Sequence, residues 1–497
     1  MNPKNPIDKS FQILAFAILV FIVLGNFTKS NNFFGLKLKN VDLLSDLKKK
    51  TNDENNNTTF VLENVPQLQI NIEDSIESAN IASLPDSINK ISRQETSAAL
   101  KLFFDALAQT KKSGSKTRIA YFGDSMIEGD LLTQDLRNLL QKQFGGEGVG
   151  FVPVSSPVSG FRRTINNSCS ENWQAYNLLN SDTILAHKPG ISGHVFLPNL
   201  NANTVDSFTF QQKLPWVKYS ASKAYASLKQ FHDVKLYYGK TISEKENTLY
   251  YNFGQGAKSF ALSGGKLVNQ IELSNSFHKQ YLTLNVACSN PLPIYGLSFD
   301  SDSGVFVDNF AFRGNSGLAL TKIPIKLLRE FNNYFDYKLI VLQYGLNVAN
   351  AETKDYHWYE VGMIRVINYL KICFPNADFL IVSVGDKSYK HGNKFETDPS
   401  IPLLVETQKR IAEKTNAAFF NLYEAMGGYN SMVNWVEGDT VLANKDYTHL
   451  NFKGANKVAH MLYNELIKNR FAHYLEASNS STPSTPVLLN ATTAIKP

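Results

Sequence analysis

The sequence predicts an α/β protein: a parallel sheet with helices on both faces, interrupted by an inserted β-sandwich and preceded by an N-terminal membrane segment. Three observations predict it. Apolar strand-like runs alternate with helical periodicity in two separate stretches, about residues 93–160 and 306–472, and that alternation implies a parallel sheet covered on both faces. Between them, over about residues 161–305, strand-like runs recur with turn residues and helical spacing is scarce, the pattern of an antiparallel sandwich. Near the start, Ile13 to Leu24 is apolar without interruption.

That first run is preceded by Lys4 and Lys9 and followed by Gly25-Asn26. Its length falls between a signal-peptide core and the roughly 20 residues that cross a bilayer as a helix. It is apolar on every face and opens onto a polar stretch, so residues 1–28 read as a signal-anchor rather than a buried core helix. A removed signal peptide is the alternative, though Val23 and Gly25 match a cleavage site poorly. Lys29, Lys37 and Lys39 follow the run, so charge asymmetry does not orient it. Residues 29–92 read as a disordered linker, because segments such as Thr51 to Asn57 hold too little apolar surface to fold alone.

The first globular signal is Glu95 to Leu107, where Leu100, Phe103, Phe104 and Leu107 share helical spacing. Thr117 to Phe122 predicts a buried strand, with Gly123-Asp124-Ser125 as the turn after it. Leu131 to Leu140 predicts an amphipathic helix that Gly145-Gly146 stops. The insert carries strand patterns at Val234–Tyr238, Thr248–Phe253 and Tyr281–Val286. The second α/β stretch then predicts strands at Lys338–Tyr344, Phe379–Val384 and Ala418–Leu422, and helices at Trp358–Phe374, Pro402–Lys414 and Phe452–Lys468. Residues 473–497 end in a Ser/Thr/Pro-rich stretch and read as a disordered tail.

At 497 residues, 43% hydrophobic and 19% charged, the chain has room for two or three globular domains. A net charge of +6 without a block of five or six like charges argues against a nucleic-acid binder. Three cysteines, Cys169, Cys288 and Cys373, are too few for a disulfide framework. Cys169 and Cys288 can pair in an oxidising compartment, and three buried thiols are the other reading.

The chemistry lies in a few residues. A serine where a strand turns into a helix is exposed at the carboxyl edge of the sheet, where open α/β folds keep their sites. Ser125 stands there, and Gly123 permits the sharp turn. Structurally it need only cap the next helix. Asp446-Tyr447-Thr448-His449 is the chain's single Asp-x-x-His. It can deliver a base and the acid that orients it from one loop. Gly314, in Arg313-Gly314-Asn315-Ser316-Gly317, and Asn347, in Tyr344-Gly345-Leu346-Asn347, are candidate oxyanion donors together with the Ser125 N–H. Asp124 reads as hydrogen-bonding the turn's own backbone. His187, His194, His357 and His391 have no ligand spacing, so neither a metal nor a cofactor is expected.

This order of nucleophile, glycine, asparagine and Asp-x-x-His resembles the GDSL/SGNH hydrolase superfamily, whose signatures map onto Gly123-Asp124-Ser125, Gly314, Gly345-x-Asn347 and Asp446-x-x-His449. Val348 departs from it, since many members have aspartate there. A narrower resemblance, to Gram-negative peptidoglycan O-acetylesterases, rests on Gly146 to Val152, on the β insert between serine and oxyanion glycine, and on Ala425 to Gly428, Ser431-Met432 and Trp435. It implies a flavodoxin-like SGNH core, a carbohydrate-binding-like insert and hydrolysis of an O-acetylated glycan. It also implies a catalytic domain in the periplasm, anchored in the inner membrane or secreted there if the segment is cleaved, with no required protein partner. Transfer of acetyl to a glycan by the same triad, and glycan binding without catalysis, are the alternatives.

Overall fold

The computed structural model describes residues 99–179, 188–199, 214–241, 247–273, 279–288 and 292–480. The expected membrane segment and linker lie outside them. Among the described residues no helix is long and apolar enough to cross a membrane.

The chain begins with helix α1 (Lys101–Ser113), strand β1 (Lys116–Gly123) and helix α2 (Thr133–Phe144). The insert then supplies β2 (Gly150–Val152), β3 (Ile165–Cys169), β4 (Trp173–Asn177), β5 (His194–Pro198), β6 (Trp216–Ala221), β7 (Asp233–Tyr238) and β8 (Thr248–Asn252). It finishes with β9 (Lys258–Ala261), β10 (Asn269–Glu272), β11 (Tyr281–Ala287) and β12 (Ile294–Asp300). The core resumes with β13 (Gly304–Ala311), α3 (Ile325–Phe335), β14 (Tyr337–Gln343), α4 (His357–Cys373) and β15 (Asp378–Val382). A hairpin of β16 (Ser388–His391) and β17 (Lys394–Thr397) follows, then α5 (Ser400–Lys414), β18 (Ala418–Phe420), α6 (Leu422–Met426), α7 (Ser431–Glu437) and α8 (Phe452–Tyr463).

The core sheet has the order β13-β1-β14-β15-β18 and every pairing in it is parallel. Counting only core strands, that is 2-1-3-4-5, the flavodoxin-like order, which places its switch point beside the first strand. Successive residues of β1 point to opposite faces, as pleating requires. Ile119 and Tyr121 pack with α1, α2 and α8, while Ala120 and Phe122 join the cluster under α3, α4 and α5. With both faces covered, the strand is buried from Thr117 to Gly123, apolar from Ile119 to Phe122 and with Arg118 satisfied by Asp300 and Asp308.

The insert is a sandwich of a six-stranded sheet (β10-β7-β12-β5-β4, with β2 on β12) and a five-stranded sheet (β3-β6-β11-β8-β9). Leu236, Tyr238, Leu297 and Phe299 of the first face Val217, Tyr219, Leu249 and Leu284 of the second. The outer face of the six-stranded sheet does not stand in water. Phe151, Val195, Leu197, Tyr237 and Tyr295 join the core cluster of Phe331 and Phe335 on α3, with the Tyr295 and Phe331 rings 5.2 Å apart. The insert is thus docked on the core rather than tethered to it.

Three boundaries differ from the sequence reading. Gly150–Val152, expected in the first core segment, pairs antiparallel with β12 and belongs to the insert's sheet. The glycines there serve close packing: a Cβ on Gly148, at φ +107°, would lie 2.2 Å from the Phe299 carbonyl oxygen. Leu422, expected in a strand, opens α6 instead, because Asn421 caps the helix by accepting from the Glu424 N–H. The helical run after α8 continues to Ser480, so residues 473–480 are not part of a disordered tail. The cysteines are three free thiols.

Candidate active site

Ser125 leaves the sheet two residues after Gly123, the last residue of β1. Gly123 lies in register with Ala311 of β13 on one side and Gln343 of β14 on the other. The segments carrying Ser125, Gly314 and Asn347 therefore depart from three adjacent strands at one level of the carboxyl edge. The turn is tight: a Cβ on Gly123 would lie 2.9 Å from the Gln343 carbonyl oxygen. Asn347 closes the arrangement from above, its Nδ2 donating to the Asn315 carbonyl at 3.0 Å. Gly314 has a φ of +76°, a left-handed conformation that costs glycine little. The Asn315 side chain, fully buried, accepts the Gly317 N–H at 3.0 Å and holds this loop in place.

His449 arrives from the far end of the chain. Its Nε2 is 2.8 Å from Ser125 Oγ, and its Nδ1 is 2.8 Å from Asp446 Oδ2. A carboxylate only accepts, so Nδ1 carries the proton and the Nε2 lone pair faces the serine hydroxyl. The second Asp446 oxygen accepts the Thr448 and His449 backbone N–H groups, each at 3.0 Å. Burial pushes the Asp446 carboxyl up, but those hydrogen bonds and the His449 ring outweigh it and hold the group below its ordinary value. Tyr447 sits at φ +53°, an uncommon conformation for a bulky residue. Its ring stacks on Phe395 of the β16–β17 hairpin at 3.7 Å, and its carbonyl accepts the Ser388 N–H at 2.9 Å. That hairpin has no counterpart in the sequence reading. Its residues are mostly polar, and the signals that could have found it were the short Ser388-Tyr389-Lys390-His391 run and the Gly392-Asn393 turn pair after it.

Asp124 is 1% exposed and accepts the Met126 N–H at 3.0 Å, the turn bond its position suggested. Burial raises its carboxyl to about 7, against the backbone N–H groups of Met126 and Leu346 and the nearby His449, which favour the charged form. A carboxyl raised in the fold costs stability as pH climbs from its unfolded value of about 3.9 through its folded one. The Asp124→Asn variant should therefore gain on the parent with rising pH, at no more than about 1.4 kcal/mol per unit. The gain should level off above about 7, as read by denaturant titration; a pH-independent difference would show that Asp124 does not titrate in this window.

Of the histidines set aside by spacing, His391 pairs with Glu396 at 2.8 Å, His194 sits in the insert beside Phe312, and His357 opens α4. His187 lies outside the described residues. Among the described residues no cluster of His, Cys, Asp and Glu could hold a metal ion.

No family model and no curated protein matches the chain. Among solved structures, a peptidoglycan O-acetylesterase superposes with a TM-score of 0.60 at 21% identity, over 75% of this chain and 96% of its own. The chain shares that esterase's fold. The aligned length exceeds what the core alone provides, so the likeness takes in strands of the insert as well. Two smaller superpositions cover about a third of the chain. One is with a GDSL-like lipase from Parabacteroides merdae, at 15% identity and TM-score 0.24 over 32% of this chain and 72% of that one. The other is with an acetyl xylan esterase, at 21% identity and TM-score 0.26 over 33% and 82%.

Proposed function

We propose that this chain is a serine esterase of the GDSL/SGNH type that removes O-acetyl groups from a cell-envelope glycan such as peptidoglycan. The observation that carries the reading is the continuous relay Ser125–His449–Asp446, with 2.8 Å at both steps, at the carboxyl edge of a parallel sheet. Ser125 Oγ attacks the acetyl carbonyl as His449 Nε2 takes its proton. The tetrahedral oxyanion accepts from the Ser125 and Gly314 N–H groups and from Asn347. Asp446 stabilises the imidazolium that forms. His449 returns the proton to the departing sugar hydroxyl, which leaves an acetyl-serine, then activates water to release acetate.

The glycan is supported by the fold shared with a peptidoglycan O-acetylesterase. A membrane-anchored position is supported by the apolar run Ile13 to Leu24, and a catalytic domain in the periplasm by the resemblance to Gram-negative peptidoglycan O-acetylesterases. The test is incubation with 4-nitrophenyl acetate, with and without chito-oligosaccharide acceptors, following nitrophenol, free acetate and sugar mass. Acetate released without diversion to the acceptor is the expected result. Acetate appearing on the sugar would make the protein a transferase, and no turnover would leave a glycan-binding protein.

Asn347→Ala should lower kcat by about 10²–10³, with a smaller effect on KM because the donor acts on charge that develops in the transition state. Equal falls in affinity and turnover would make Asn347 a loop anchor through its Asn315 bond instead.

A further inference from the structure

A cavity of about 280 Å³ lies where the insert meets the core, off the carboxyl end of β13. Phe312 and Arg313 line it from the core, and Asn177, Leu179, Ser192 and His194 from the insert. It adjoins the oxyanion loop: Arg313 precedes Gly314, and Leu179 Cδ1 lies 3.6 Å from where a Gly314 Cβ would be. The Phe312 N–H bonds the Gly123 carbonyl at 3.4 Å, so the cavity begins one strand away from Ser125.

Its wall holds polar atoms that the fold leaves unused. Ser192 is 7% exposed, and its hydroxyl is buried with no hydrogen-bond partner, which in a native structure asks for an explanation. His194 Nδ1 lies 3.1 Å from the Ser192 carbonyl. A carbonyl only accepts, so Nδ1 carries the proton and Nε2 is left as an acceptor. Burial lowers the His194 pKa, which keeps that ring neutral near pH 7. Asn177, directly across the strand pair from His194, uses its Oδ1 on the Leu179 N–H at 2.9 Å, leaving its amide donors for a ligand. The Phe312 ring meets His194 edge-on at 4.7 Å.

We propose that this cavity is a subsite for one sugar unit of the glycan, neighbouring the unit whose ester is cleaved, and that the insert supplies its recognition through His194, Ser192 and Asn177. The inference rests on the glycan-esterase reading. Mixed donors and acceptors beside an aromatic ring suit a pyranose, whose hydroxyls both donate and accept and whose C–H face packs on apolar surface. An acyl chain would leave those polar atoms unpaired. The volume, about 280 Å³, falls just below the roughly 300–1,000 Å³ of drug-sized ligand pockets, enough for one ring and not for a chain of them.

The test uses the full chain and two variants outside the relay, His194→Phe and Ser192→Ala. With O-acetylated chitotriose as substrate, KM should rise about tenfold in each, the effect of one lost hydrogen bond in a built site, while turnover of 4-nitrophenyl acetate stays unchanged. Chitotriose is also titrated calorimetrically into Ser125→Ala with and without His194→Phe, where affinity should fall by a similar factor without any turnover. Unchanged KM and affinity overturn the proposal, as does an equal loss on both esters, which would mark the pair as structural, or an absence of chitotriose binding. If the parent shows no Ser125-dependent hydrolysis but His194→Phe still weakens chitotriose binding, the esterase reading falls and the subsite stands.

Discussion

Replacing Ser125 by alanine should lower kcat on 4-nitrophenyl acetate by roughly 10³–10⁶ and leave stability within about 0.5 kcal/mol of the parent. The size follows from how the three groups act. In the proposed mechanism, removing the nucleophile removes the acyl intermediate and leaves His449 no hydroxyl to deprotonate. What remains is binding and the oxyanion donors, which alone give about 10³–10⁴ over water in other enzymes with this triad. The small cost to the fold follows from the contacts: the serine hydroxyl bonds His449, whereas the turn is held by Gly123 and by the Asp124 bond to Met126. His449→Ala should cost about as much as Ser125→Ala, and the double variant little more, because the residues work as a unit. Steady-state kinetics beside urea denaturation separates the outcomes. Full activity in Ser125→Ala would end the triad assignment.

The largest expected loss of stability comes from Arg118. Its guanidinium is buried between Asp308, with Nε and Nη2 at 2.9–3.1 Å from the carboxylate, and Asp300, at 2.9 Å from Nη1. Asp308 also accepts from the Tyr337 hydroxyl at 2.6 Å and the Phe151 N–H at 2.8 Å. These five residues join β1, β13 and β14 of the core to β2 and β12 of the insert, so one charge cluster fastens the insert to the sheet. Arg118→Met keeps much of the volume but strands two buried carboxylates, which should cost about 3–5 kcal/mol. Lys116, 2.9 Å from Asp300, remains as a partner there, with Lys235 also acting on Asp300. Removing the two stranded charges with Asp300→Asn and Asp308→Asn should recover part of the loss. The check is urea unfolding of the single and triple variants. A loss under about 1 kcal/mol for Arg118→Met, or no recovery in the triple variant, would mean packing and not charge pairing holds this joint.

Much of the core was legible because its signals are local. A buried parallel strand is apolar over most of its length, and a helix on the sheet must repeat its apolar residues near every third or fourth position. Both patterns survive without knowledge of partners, as at Thr117 to Phe122 and Trp358 to Phe374. The boundary errors arose where no such pattern exists. Gly150–Val152 is a three-residue strand, too short for any period, and only its pairing with β12 assigns it to the insert. The start of α6 did carry a local signal, Asn421-Leu-Tyr-Glu424, an N-cap with a glutamate three residues on. The apolar run through Leu422 outweighed it.

By itself the sequence singled out the residues proposed to carry the chemistry. Ser125 follows a buried strand at a glycine turn, and Asp446 and His449 share one loop, relations set by a few residues of chain whatever the rest of the fold does. Tertiary structure alone decided how these segments meet. The register that sets Gly123 level with Ala311 and Gln343, the Phe395–Tyr447 stack that supports the histidine loop, and the docking of the insert through Arg118 and α3 all pair residues far apart in the chain. Such contacts depend on the shape and charge of both partners at once, and neither segment records the other's position. The cavity shared by His194 and Phe312 has the same origin: half of it belongs to each domain, and it exists only where they meet.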